Sequence, residues 1–144
     1  MKKILFIAFL IITIFSANAS AQGTDGLIKM LMKSANVDKT QAMGGAGALF
    51  EMAKEKLSVE DFGKVAAVVP GMDKLLAAVP ALAPKKSMLG AAAIKLSGNV
   101  KVLAAFKKLG ISKTKVALFT PVIVNYIEKN GGKAVGDLIK NALK

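Results

Sequence analysis

Apolar positions recur at helical spacing along most of this chain. Leu27, Ile28, Met30, Leu31 and Met32 predict a short helix ending near Ser34. Asn36 or Asp38 can cap a longer helix running to about Lys56, with Met43, Leu49, Phe50, Met52 and Ala53 on or near its inner face. Ser58-Val59-Glu60-Asp61 resembles a capping box, with Asp where Glu or Gln is usual, and opens a helix through Val68. Pro70 stops it, because proline lacks the backbone donor that a further turn needs. Gly71 to Val79 reads as a short helix closed by Pro80, and Pro84 lies in the link beyond. Helices over Met88 to Leu96 and Asn99 to Leu109 follow, with Gly98 and Gly110 as breaks.

Ser112 is the next predicted N-cap. From Val116 to Ile127 the pattern is apolar on nearly every side, which places this helix at the centre of a bundle. It is too short to span a bilayer: Lys113, Lys115, Glu128 and Lys129 bracket only about a dozen residues, where about 20 are needed. Pro121 marks a kink or a break in it. Gly131-Gly132 ends it, and a last helix runs from Lys133 to about Leu143. No sustained alternating pattern predicts a strand. The expected fold is all-α, a compact bundle of six or seven short-to-medium helices.

A weak repeat runs through this pattern. Val37-Asp38-Lys39-Thr40 aligns with Ile111-Ser112-Lys113-Thr114, and Leu49, Met52 and Ala53 then meet Ile123, Tyr126 and Ile127. Gly63-Lys64 can match Gly132-Lys133 if the second copy is shorter. Two readings stand: a duplicated helical hairpin, or chance similarity between two capped amphipathic helices.

The N-terminus carries an address. Lys2 and Lys3 precede an apolar run from Ile4 to Phe15, then Ser16-Ala17-Asn18-Ala19-Ser20-Ala21, the layout of a secretory signal peptide. Cleavage fits after Ala19 or Ala21; the second leaves residues 22–144 as a single helical domain, periplasmic or secreted. As an uncleaved anchor the run would reach only about 18 Å at about 1.5 Å per residue.

Composition removes chemistry. The 144 residues contain no Cys, His or Trp, and all 21 cations are lysine. Zinc, haem, copper and iron–sulfur sites of the common kinds are excluded, as are Ser-His-Asp and Cys-His nucleophiles. Without arginine there is no bidentate fork for phosphate or guanine. No cofactor and no enzymatic activity are expected.

Gly44-Gly45-Ala46-Gly47-Ala48 invites a phosphate-loop reading, but lacks the preceding strand and the Lys-Ser/Thr that such a loop requires. Close helix packing at Gly44 and Ala48, or at Ala42 and Ala46, is the better reading. It has to offset about 1 kcal/mol for each helical glycine. Glu51 with Glu55, and Glu60 with Asp61, lie at helical distances from Lys54 and Lys64, which suits exposed ion pairs rather than acid–base catalysis.

Charge is the informative feature. From Gln22 to Asp73 there are 6 Lys and 7 acids; from Lys74 to Ile127 there are 9 Lys and no acid. Lys101 and Lys108 share one face of their helix with Lys107 beside them, opposite Val102, Leu103, Phe106 and Leu109. Lys85, Lys86, Lys95, Lys113 and Lys115 can extend that face. These eight lysines are the candidate anion-contacting residues. The partner is then an anionic envelope surface or another envelope protein; nucleic acid is disfavoured by the export signal and the scarcity of aromatics for stacking. The competing reading is carriage of an apolar or lipid ligand between helices lined by Met43, Met52, Met72, Met88 and Phe residues.

Gln41-Ala42-Met43-Gly44-Gly45-Ala46-Gly47-Ala48-Leu49-Phe50 and Val69-Pro70-Gly71-Met72-Asp73, with Phe62 and Val65, resemble the VcgC/VcgE-like family of exported bacterial domains of unknown function. Leu109-Gly110-Ile111-Ser112, Phe119, Pro121, Val122, Tyr126 and Gly131-Gly132 extend the likeness to nearly the whole mature chain. Lys113 departs from it, where proline is expected after the serine. The resemblance implies a small helical exported domain and brings no catalytic residue with it.

Overall fold

The computed structural model describes residues 23–80 and 98–144. The expected leader, Pro84, the helix expected over Met88 to Leu96 and the candidates Lys85, Lys86 and Lys95 lie outside these. Seven helices are described: α1 (Gly23–Ala35), α2 (Lys39–Lys56), α3 (Val59–Val68), α4 (Met72–Ala77), α5 (Gly98–Lys108), α6 (Lys113–Gly131) and α7 (Lys133–Ala142). Among the described residues no strand is present and no helix is long and apolar enough to cross a membrane.

Local chemistry sets the boundaries. Asn36, at φ 49°, turns the chain out of α1, and the Val37 N–H closes back on the Met32 carbonyl at 3.3 Å. Asp38 then opens α2 with both arms of a capping box: its carboxylate accepts from the Gln41 N–H at 2.8 Å, and the Gln41 side chain accepts from the Asp38 N–H at 3.2 Å. Ser58 caps α3 by accepting from the Asp61 N–H at 3.1 Å. The Asp61 carboxylate, one methylene shorter than Glu, pairs with Lys64 at 3.1 Å, a bond that lowers the Asp61 pKa and raises that of Lys64.

The turn after α5 repeats the turn after α1. Gly110 takes φ 72°, its N–H meets the Lys107 carbonyl, and the Ile111 N–H meets the Phe106 carbonyl at 2.9 Å. Ser112 has the extended backbone of an N-cap, though its hydroxyl pairs with Thr114 and caps no amide. At the offset of 74, the starts of α2 and α3 fall on the starts of α6 and α7, and Val68 falls on Ala142. The second unit is therefore not shortened, and Gly63-Lys64 does not correspond to Gly132-Lys133. Buried pairs follow the same register: Ile28 with Val102, Leu49 with Ile123, Ala53 with Ile127, Val65 with Ile139. Packing follows it too, since α1 lies on α6 as α5 lies on α2. The repeated unit is thus three helices, larger than a hairpin.

All seven helices contribute to one core. Its centre is α2, which touches every other helix, rather than α6. Small residues permit this. A Cβ at Gly47 would overlap the Leu75 carbonyl oxygen of α4, and one at Gly45 would lie 2.6 Å from Phe119 Cε1. The Phe106 and Phe119 rings, 4.9 Å apart and nearly perpendicular, close over Gly45. On α6 the residues matching Gly44 and Gly47 are Leu118 and Pro121. Both are exposed, because no described element covers them as α4 covers α2. The helix runs unbroken through Pro121, whose lost hydrogen bond falls on this solvent side.

Candidate functional site

The candidate lysines separate in space. Lys101 is drawn to α2, where its ammonium meets the Glu55 carboxylate at 2.5 Å. Lys115 reaches across to donate to the Asn36 carbonyl at 2.8 Å, joining α6 to the α1–α2 turn. Lys107 and Lys113 are brought together on one groove between α5 and the start of α6, with Lys108 exposed on the same helix end.

This groove is an open trough with a volume of about 570 Å³. Its apolar lining comes from Val100, Leu103, Phe106, Ile111 and Val116, and no acidic residue borders it. Leu103 was expected on the inner face of its helix, yet it is 45% exposed. Val102, Ala105 and Phe106, at helical spacing, form the buried stripe, and Leu103 stands outside it. Counting apolar residues in α5 missed this. The signal was Ala105: a small residue on the inner stripe draws the helix close to α2 and leaves Leu103 facing out.

Elsewhere the surface is mixed. A hollow of about 400 Å³ beside α1 places Asp25 with Lys39 and Lys74. Met52 and Met72 are buried in the core, Met43 borders that hollow, and Met88 lies outside the described residues. Among the described residues no polar or charged residue is buried, and no three His, Cys, Asp or Glu side chains converge to hold a metal ion.

The repeat register locates the charge asymmetry. The acids of the first unit, Asp25, Asp38, Glu51, Glu55, Glu60 and Asp61, correspond to Asn99, Ser112, Asn125, Lys129, Ala134 and Val135 in the second. Each of these six positions carries a neutral side chain or a lysine in the second unit.

A family model described as protein of unknown function VcgC/VcgE matches residues 13–144. No curated protein and no solved structure matches the chain.

Proposed function

Since the chain belongs to the VcgC/VcgE family, whose function is unknown, we propose from its own surface that it is a non-catalytic interaction module for anionic envelope partners. The observation that carries this is the α5–α6 groove, bordered by Lys107 and Lys113 and by no carboxylate. The leader-like N-terminus supports an extracytoplasmic setting, where lipid head groups, lipopolysaccharide phosphates and acidic glycans are the available anions.

Charge alone makes this contact weak and salt-sensitive. A lysine near an anionic membrane contributes about 1 kcal/mol, and screening at physiological salt acts over about 8 Å. Co-sedimentation with anionic phospholipid vesicles or lipopolysaccharide tests the proposal at low and high ionic strength. Binding at low salt, released at high salt and reduced in the double variant Lys107→Gln/Lys113→Gln, is expected. An absence of salt-sensitive binding to every anionic surface refutes it.

The carrier reading is favoured by one observation, the volume of the same groove. On that reading the ligand would lie at the surface between α5 and α6, rather than between helices lined by Met43, Met52 and Met72 as expected from the sequence.

A further inference from the structure

We propose that the α5–α6 groove binds a long-chain fatty carboxylate, with its alkyl chain along Leu103, Val100 and Val116 and its carboxylate facing Lys107 and Lys113. This rests on the reading above in taking those two lysines as anion-facing, and adds a ligand class to it.

The first argument is shape and polarity. At about 570 Å³ the groove falls in the range of small-molecule sites, about 300–1,000 Å³. Val100 is 43% and Leu103 45% exposed, so two large apolar side chains face water at its wall. Cations on an apolar trough complement a ligand that is apolar along its length and anionic at one end. A second copy of the same face would oppose lysines to lysines, and a neutral apolar ligand would leave both cations unused.

The second argument is an internal control. The α1–α2 corner makes the same turn, with a left-handed residue, a back-bonded Val37 and an N-cap. There Lys29 stands in the place of Leu103, Gly26 in that of Val100, Asp38 in that of Ser112 and Met30 in that of Ala104, while Lys33 and Lys39 hold the positions of Lys107 and Lys113. The turn therefore folds without Leu103 and Val100, with Met30 as its exposed apolar side chain and an acid at its rim. The turn does not require Leu103 and Val100 at the surface, and an apolar ligand gives them a partner.

Octanoate, decanoate and dodecanoate, each below its aggregation threshold, are the probes. Methyl NMR of the full mature chain is the readout. Dodecanoate should shift the methyls of Val100, Leu103, Ile111 and Val116. Affinity should rise about twofold per methylene, half of the about fourfold that complete burial gives. Leu103→Gln, at an exposed helical position, should fold normally and weaken dodecanoate binding while sparing vesicle binding. Lys107→Gln/Lys113→Gln should weaken both, and dodecyltrimethylammonium should not bind. Unmoved groove methyls, or affinity independent of chain length, overturn the inference. If anionic vesicles still bind in a salt-sensitive way, the surface reading survives that failure. Dodecanoate in the groove without vesicle binding supports the ligand and removes the surface reading.

Discussion

Adding one methyl group at Gly47 should destabilise the protein, although the same change favours the helix that carries it. Ala is better than Gly in a helix interior by about 1 kcal/mol. At Gly47 the new Cβ would overlap the Leu75 carbonyl oxygen and lie 2.8 Å from the carbonyl carbon, both backbone atoms of α4. No rotamer change relieves that contact, so α4 has to withdraw. This helix has six residues and is held by buried Met72 and Leu75, so even a partial retreat exposes much of its anchoring surface. Overpacking of a core typically costs about 1–3 kcal/mol. Taking the upper end against a rigid oxygen and subtracting the helical gain leaves a net loss of about 2 kcal/mol.

Gly63 supplies the control. It lies within α3, is exposed, and has nothing within 4 Å of its prospective Cβ. Gly63→Ala should therefore stabilise by about 1 kcal/mol. For a domain of this size about 4 °C in Tm accompanies each kcal/mol, giving shifts of about −8 °C and about +4 °C by thermal circular dichroism. Amide exchange over Leu75–Ala78 should accelerate in Gly47→Ala before the rest of the chain responds. A Gly47→Ala protein as stable as the parent would refute the close approach of α2 and α4.

Asp38→Ala removes one arm of the α2 capping box and should cost about 1 kcal/mol by denaturant unfolding. Ser112→Asp installs the matching acid at a position whose hydroxyl caps no amide: stability should rise by about 0.5–1 kcal/mol while binding to anionic vesicles falls. Tyr126 is the only tyrosine, so phenolate absorbance reports it alone, and burial should place its midpoint above the usual 10.0. A folded pKa above the unfolded one means that its stability contribution is complete below the unfolded pKa and is lost as pH rises through the folded one. Tyr126→Phe should abolish that alkaline loss and, by removing the hydrogen bond to the Gly23 carbonyl, cost about 1 kcal/mol.

Features written in adjacent residues were legible in the sequence. Asp38, Ser58, Gly110, Ser112 and Gly132 act within a few positions of themselves, and the helices begin and end where they stand. The hierarchy among helices was not legible. Val116 to Ile127 has the densest apolar run, yet a side chain's apolarity does not say whether a neighbour exists to cover it. In α2 burial is achieved by Ala42 and by an unbroken run from Gly44 to Phe50. Glycine and alanine there carry little apolar surface of their own and matter through how closely other helices approach. The lysine layout failed to show for the same reason. Lys101 and Lys107 share a helix, but only the placement of α2 gives one of them to Glu55 and leaves the other on the groove.

Comparison of the two units separates what the fold needs from what it merely tolerates. Both keep the left-handed turn residue, the back-bond to Met32 or Phe106, and apolar side chains at the matched core positions. They share lysines at the positions of Lys107 and Lys113, where the first unit has Lys33 and Lys39, and differ in all six carboxylates of the first unit and in Leu103 and Val100. One unit forms the turn without Leu103 and Val100, so the turn itself does not require them. Energetics then favour a ligand that uses both features of the groove. An exposed ion pair with one carboxylate contributes about 0.2–1 kcal/mol, and about ten half-buried methylenes about 0.4 kcal/mol apiece, so the alkyl chain supplies most of the affinity while the lysines select the charge of the head group.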